Sequence, residues 1–205
     1  MLIAALASGG LALLNTQTAP VIAENKAREQ ALARTEVMRS LGVTDFEEVV
    51  ADDGTIYWRA LDESGQLAGY VAMAYGKGYS STLETVAGFD TDLKVAGLKI
   101  IFQQETPGLG TKSVEVKKGD TSPWFLQQFV GKDALTLAVT KDRGEIDAIT
   151  GATITSRAVT NSVKDAALEL KGVLPATPTA GSQSLEGDTS MTVDTASAEG
   201  GEVTQ

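Results

Sequence analysis

Two stretches of this chain gather residues that could do chemistry. In "DAITGATITS", Asp147 to Ser156, Gly151 and Ala152 stand between Thr150 and Thr153 at the mouth of a predicted helix. The small pair leaves room for a bulky, planar or phosphorylated group to approach the backbone. Thr153 falls where free N–H groups and the positive end of the helix dipole point outward, so a phosphate there is stabilised by geometry. Arg157, one turn later, offers such an anion a charge-assisted contact. A threonine hydroxyl is a weak nucleophile, so an ester at Thr153 needs another enzyme to make it. The competing reading is a turn in which Thr153 or Thr155 merely caps the helix, and spacing alone favours that cap.

The second stretch is "QQETPGLGTK", Gln103 to Lys112. It leaves a predicted buried strand and enters a turn in which Pro107 fixes one torsion while Gly108 and Gly110 free their own. Such a loop could lay backbone N–H groups against a ring system. Glu105 could accept from a ring N–H or cover a cofactor face. Taken alone, a plain surface loop explains the same residues.

Composition narrows the chemistry further. The 205 residues hold no Cys and no His, which removes disulfides, iron–sulfur ligation, thiol nucleophiles, the commonest metal ligand and the usual general base. Hydrolase triads and zinc sites are disfavoured on that basis, carboxylate metal sites stay open, and redox chemistry would need a borrowed cofactor such as a flavin. A net charge of −10 argues against a nucleic-acid footprint.

The elements that must position these residues follow from the pattern along the chain. No charged side chain precedes Glu24, and residues 1–14 are strongly apolar. With the uncharged residues to Ala23 the stretch reaches the roughly 20 residues of a marginal transmembrane helix, and it reads as an anchor over residues 1–23. A signal peptide cleaved after Ala23 competes, although no basic residue precedes the apolar run. Residues 24–42 complete a membrane-proximal helix, read from Pro20 to Leu41, with Ala27, Ala31, Met38 and Leu41 on one face and Gly42 as its cap. "TIYWRALD" and "QLAGYVAMAY" flank Ser64 and Gly65 as a hairpin, and "TLETVAGFD" and "KVAGLKIIF" flank Asp90 to Asp92 likewise. Ala68-Gly69 and Ala96-Gly97 faintly echo each other, and "AYGKGYSS" reads as a flexible loop. "SPWFLQQFVG" predicts a short helix burying Trp124, Phe125 and Phe129. "ALTLAV" and "EIDAI" predict two further strands. Val159, Val163, Ala166 and Leu170 mark one face of a closing helix from about Ile154 to Leu170. Residues 175–205 carry five acidic side chains, no basic one and little apolar surface, so they read as a disordered acidic tail. The fold class expected is α+β, a largely antiparallel sheet with flanking helices behind an N-terminal transmembrane helix, with the folded domain over residues 43–174.

Together the two stretches resemble the FMN-binding domain of the Rnf and Nqr redox complexes. "ETPGLG" (Glu105, Thr106, Pro107, Gly108, Leu109, Gly110) is similar to that family's internal signature, and "DAITGAT" (Asp147 to Thr153) to its flavinylation motif. "ITSRAV" and "GYSS", with Tyr79 and Ser80, match as well, and the chain length resembles the shorter, Rnf-type G subunit. The resemblance implies FMN joined covalently, as a phosphoester, to Thr153 by a Mg-dependent flavin transferase acting on FAD. It implies that Thr150 and Asp147 shape the approach to that residue, and that Tyr79, Ser80 and the loop from Glu105 to Lys112 shelter the isoalloxazine. It further implies a single-pass protein of the cell membrane with its flavin domain on the extracytoplasmic side. Such a protein relays electrons among the membrane subunits of a ferredoxin–NAD complex that moves ions. An FMN carrier of an Nqr-type or other extracytoplasmic reductase is the nearest alternative. A cofactor-free, membrane-tethered interaction domain is the alternative of another class.

Overall fold

The structure, a computed structural model, describes residues 2–174, with side chains from Leu14 onward. The acidic segment over 175–205 lies outside the described residues. An N-terminal helix, α1 (Leu2–Val37), passes through a 3₁₀ turn (Arg39–Leu41) that Gly42 closes in the left-handed conformation. Five strands follow: β1 (Val43–Val50), β2 (Ile56–Asp62), β3 (Leu67–Lys77), β4 (Thr82–Asp90) and β5 (Val95–Phe102). They form one antiparallel sheet in chain order. The rest of the chain is irregular, with a short helix α2 (Trp124–Gln127), until the closing helix α3 (Thr153–Val173). The expected α+β class with a largely antiparallel sheet and helices is what the chain adopts. Among the described residues no helix is long and apolar enough to cross a membrane. The anchor expected over residues 1–23 falls largely on side chains outside the described ones.

Local chemistry explains the meander. In three hairpins the residue at or just past the end of the strand donates its N–H to the carbonyl four residues on: Ala51 to Thr55, Asp62 to Gln66 and Asp90 to Lys94. The fourth residue of each loop is left-handed, namely Gly54, Gly65 and Leu93. Leu93 accepts a conformation that costs a side chain roughly 1–2 kcal/mol, because it buries its side chain in the core beneath. The Asp62 and Asp90 carboxylates fasten their loops by accepting N–H groups two and four residues on. The β3–β4 connection is different. Pairing continues to Lys77 and Thr82, leaving only Gly78 to Ser81 as a loop, tighter than the flexible segment expected there.

The sheet has two unequal faces. On one, α3 covers β3 and β4, and the main core forms around Leu83, Phe89, Phe125, Phe129, Val159, Val163 and Leu170. Burying each of these large side chains contributes about 1.5–3 kcal/mol relative to exposure. The four periodic positions expected on the closing helix are all buried. On the other face a smaller cluster forms where the end of α1 lands, through Ala33, Val37 and Met38 on Trp58, Val71 and Val86. Met38 belongs to the expected helix face, but Ala27 and Ala31 are exposed. Two glycines permit this landing. A Cβ at Gly97 would come within 2.5 Å of the Val37 carbonyl and one at Gly88 within 2.6 Å of the Met38 sulfur, whereas one at Gly69 would first strike the neighbouring strand, at 2.1 Å from the Phe89 carbonyl. The Ala-Gly echo therefore serves the helix end directly only at Gly97. Arg34 stacks over the Trp58 ring at 4.5 Å, and Lys26–Glu84 and Lys99–Glu36 ion pairs flank the contact.

Two expected strands, "ALTLAV" and "EIDAI", do not form. The segment instead makes 3₁₀ turns at Ala134–Thr136 and Thr140–Asp142, with one parallel bridge between Val139 and Ile146. Their apolar side chains are buried by packing under α3, so the apolar pattern is real while the ladder is missing.

Candidate functional site

The first turn of α3 is where the two stretches meet. Residues Ile149 to Ala152 form a tight turn, closed by the Ala152 N–H donating to the Ile149 carbonyl at 2.9 Å. Gly151 sits at φ +80°, a position that strains any side chain, and an added Cβ would meet Leu109 Cδ2 at 3.0 Å. Ser156, fully buried, pins the turn from inside: its hydroxyl donates to the Ala152 carbonyl and accepts the Ile149 N–H, both at 2.9 Å. Ala152 occupies the N-cap position and no side chain caps the helix. Neither Thr153 nor Thr155 therefore plays the capping role that spacing alone favours. The N–H groups of the first turn thus take no cap from the N-cap side chain.

Glu105 ties the other stretches to this helix. The residue is 4% exposed, and its carboxylate accepts from five donors on two separate segments. The N–H groups of Tyr79 (3.1 Å), Ser80 (3.0 Å) and Ser81 (3.0 Å) converge on it with the Ser81 hydroxyl (3.2 Å). From α3 the Thr155 hydroxyl donates at 2.5 Å. Three successive N–H groups make an anion-binding nest, and the protein fills it with its own side chain. Burial by itself pushes the Glu105 carboxyl up. The Thr155 hydroxyl and the N–H groups of Ser80, Tyr79 and Ser81 outweigh it and hold the group below its ordinary value. Gly110 and Gly78 fit against this carboxylate where a Cβ would come within 2.6 Å of Glu105 atoms. Pro107 and Gly108 make the turn predicted for them, with Gly108 at φ +74° and the Leu109 N–H returning to the Thr106 carbonyl.

Beside this clamp lies a cleft of about 740 Å³, within the roughly 300–1,000 Å³ of small-molecule sites. Tyr79, Glu105, Thr106, Leu109 and Gly110 line one side, and Gly151, Ala152 and Thr153 the other. The apolar rim is open to solvent, with Tyr79, Leu109 and Ile154 each substantially exposed. Six residues expected at the site are not part of its lining. Pro107 and Gly108 shape the loop from outside, and Ser80 contributes its N–H to Glu105. Thr150 is exposed, and the backbone of Asp147 is held by the Gln128 side chain in two hydrogen bonds of 2.8 and 3.3 Å. Arg157 forms a bidentate pair with Asp142 at 2.7 and 2.6 Å, a contact that raises the guanidinium and lowers the carboxyl.

Three lining residues are not evident from the sequence: Lys141, Ile154 and Thr155. Lys141 matters most, because its ammonium donates to Thr153 Oγ1 at 3.0 Å. No periodicity announces it. It reaches the site because the chain doubles back between Val139 and Ile146, with Thr140 N–H donating to the Ile146 carbonyl and Arg143 closing the turn at φ +65°. Thr155 and Ile154 lie within the first stretch, and only the helix phase separates the buried hydroxyl from the exposed alkyl group.

An open cleft that joins a glycine turn, an uncapped helix start, the Thr153 hydroxyl and one ammonium suits a phosphate-bearing, planar ligand. Consistent with that class, the FMN-binding domain family matches residues 78–168. A Methanosarcina acetivorans protein, named as the G subunit of an ion-translocating oxidoreductase complex, is 33% identical, over 81% of this chain and 88% of the relative. The G subunit of the proton-translocating ferredoxin:NAD(+) oxidoreductase complex of Clostridium ljungdahlii is 36% identical, over 73% of this chain and 76% of its own length. The chain belongs to this family of G subunits. Among solved structures, the C subunit of the Na(+)-translocating NADH-quinone reductase of Parabacteroides distasonis shares the fold, with a TM-score of 0.55, 20% identity, and coverage of 75% of this chain and 96% of that one.

Proposed function

We propose that the chain is the flavoprotein subunit of an ion-translocating, Rnf-type ferredoxin–NAD electron transport complex. FMN, carried covalently on Thr153, supplies one- and two-electron redox chemistry that no side chain of a Cys- and His-free domain offers. The chain's own residues bind and orient. Thr153 presents the hydroxyl that would carry the phosphoester, Gly151 and Ala152 leave the approach clear, and the first-turn N–H groups, which no side chain caps, would be available to the phosphate. Tyr79, Leu109 and Ile154 offer the apolar rim against which a ring system can lie. Glu105 keeps the two loops and the helix at fixed separation. In this reading residues 1–23 anchor the chain in the cell membrane, residues 43–174 stand on the extracytoplasmic side, and the other membrane subunits of the complex are its partners. A covalent bond suits that side of the membrane, where a lost flavin is not readily replaced.

The observation that carries the reading is the convergence of a family cofactor domain and this cleft on Thr153, whose Oγ1 accepts from Lys141 at the start of α3. Its test is the mass of the denatured full chain matured with a flavin transferase, FAD and Mg²⁺. The expected gain is FMN minus water, and Thr153→Ala should remove it completely. An unmodified wild-type chain under those conditions would sink the covalent assignment.

A further inference from the structure

We infer that Lys141 prepares Thr153 for ester formation and then holds the phosphate of the finished ester. The inference rests on the covalent-flavin reading above and adds to it a residue that no spacing motif contains. Among the described residues Lys141 is the only cation lining the cleft, and its Nζ lies 3.0 Å from Thr153 Oγ1. The cation that the sequence offers instead, Arg157, is committed to Asp142.

The placement is built by the fold. Lys141 and Asp142 are neighbours on the 3₁₀ turn Thr140–Asp142, while Thr153 and Arg157 are one turn apart on α3. The two side chains of the turn therefore meet two residues on the same helix face. The Asp142–Arg157 pair sets the register of the turn along the helix, and that register delivers the Lys141 ammonium to the hydroxyl.

The chemistry follows from what an ammonium can do. By donating into a lone pair of Thr153 Oγ1 it turns the hydroxyl proton away from itself, where the base of the transferase can take it, and it stabilises charge developing on oxygen. In the transfer, Thr153 Oγ forms a bond to the FMN phosphorus of FAD, and the phosphoanhydride bond to the AMP phosphate breaks. AMP leaves with the bonding pair, the hydroxyl proton goes to the base, and nothing is oxidised or reduced. Thr153 Oγ, now an ester oxygen, is a poor acceptor. Lys141 then pairs with a charged oxygen on the same phosphorus, sharing it with the first-turn N–H groups.

The test uses the full chain, a flavin transferase, Mg²⁺ and sub-saturating FAD, with mass gain followed over time in denatured samples. Lys141→Gln and the length-matched Lys141→Met should be labelled about tenfold or more slowly than wild type, the rate equivalent of one charge-assisted hydrogen bond. Lys141→Arg should recover most of the rate, which a merely structural role would not predict. A second readout is the ³¹P resonance of fully loaded protein, which should move in Lys141→Gln and return toward wild type in Lys141→Arg. Wild-type labelling with unchanged rates in both neutral variants overturns the inference and leaves the covalent reading standing. An unmoved ³¹P resonance overturns the phosphate-holding half. Absence of any label on wild type overturns both readings together.

Discussion

Thr153 and Thr155 lie two residues apart in the first turn of α3, and the fold uses their identical hydroxyls in opposite ways. Thr155 is 1% exposed and donates inward to Glu105 at 2.5 Å, so its hydroxyl is consumed in joining three segments of chain. Thr153 is half-buried on the outer side of the same turn, where its hydroxyl accepts from Lys141 and opens on the cleft. Residues two apart on a helix point about 200° from each other, and that rotation separates the inner, structural side of the turn from the side that lines the cleft. An anion belongs to each side. Inside, the protein supplies its own in Glu105; outside, the proposed function places one brought by a ligand.

The strongest way to break this contrast is to remove the inner anion. Glu105→Ala deletes the acceptor for four N–H or O–H groups besides the Thr155 hydroxyl. The cost to stability should be about 3–5 kcal/mol, because several N–H and O–H donors lose their charged acceptor at once. Chemical denaturation of the apo chain measures it. A loss below about 1 kcal/mol would mean that water replaces the clamp easily and that the loops stand without it.

Next in size is Thr155→Val, which keeps the shape and removes one hydrogen bond to a charged acceptor, at about 1.5–3 kcal/mol. The informative comparison is with Thr153→Ala. That change should leave stability within about 0.5 kcal/mol while abolishing the flavin mass gain. The folded fraction of Thr155→Val should still be labelled. If Thr155→Val also lost all label with its fold intact, the division between the two hydroxyls would be wrong.

Much of this arrangement is readable in the letters, for reasons that differ along the chain. The hairpins are legible because alternating strands flank short turn signals at Ser64-Gly65 and Asp90–Asp92, and the closing helix because Val159, Val163, Ala166 and Leu170 keep a helical period. The segment over 134–149 is not, since short apolar runs such as "ALTLAV" have the same letters whether they pair as strands or pack as irregular chain. At the site, Gly151 and Pro107-Gly108 are readable as turns because their torsions are local properties. Glu105 stands out in the sequence as a ligand contact and does border the cleft, yet nothing local says that three N–H groups 24–26 residues earlier will converge on its carboxylate. Lys141 is invisible to motif and period because its approach to Thr153 depends on a loop closed by non-local hydrogen bonds. Helix spacing alone directs Arg157 to the phosphate, ignoring the Asp142 that occupies it.

The smallest expected effect is a pH dependence, because two opposed influences act on Glu105. Burial disfavours the carboxylate, and the Thr155 hydroxyl with the Ser80, Tyr79 and Ser81 N–H groups favours it, leaving the group net below its ordinary value of 4.5. A carboxyl that is more acidic folded than unfolded adds stability above the unfolded value. That contribution is lost as pH falls through the lower, folded value, where a proton displaces one of the converging donors. Stability of the apo chain measured from pH 6 to pH 3 should therefore decline below about 4.5. Glu105→Gln, which cannot titrate, should show a shallower decline than wild type, the remaining slope coming from other acidic groups such as Asp62 and Asp142, whose carboxyls are also held low. Equal slopes in the two proteins would show that Glu105 gains nothing from its ionised form, and that neutral hydrogen bonding alone holds the inner side of the turn.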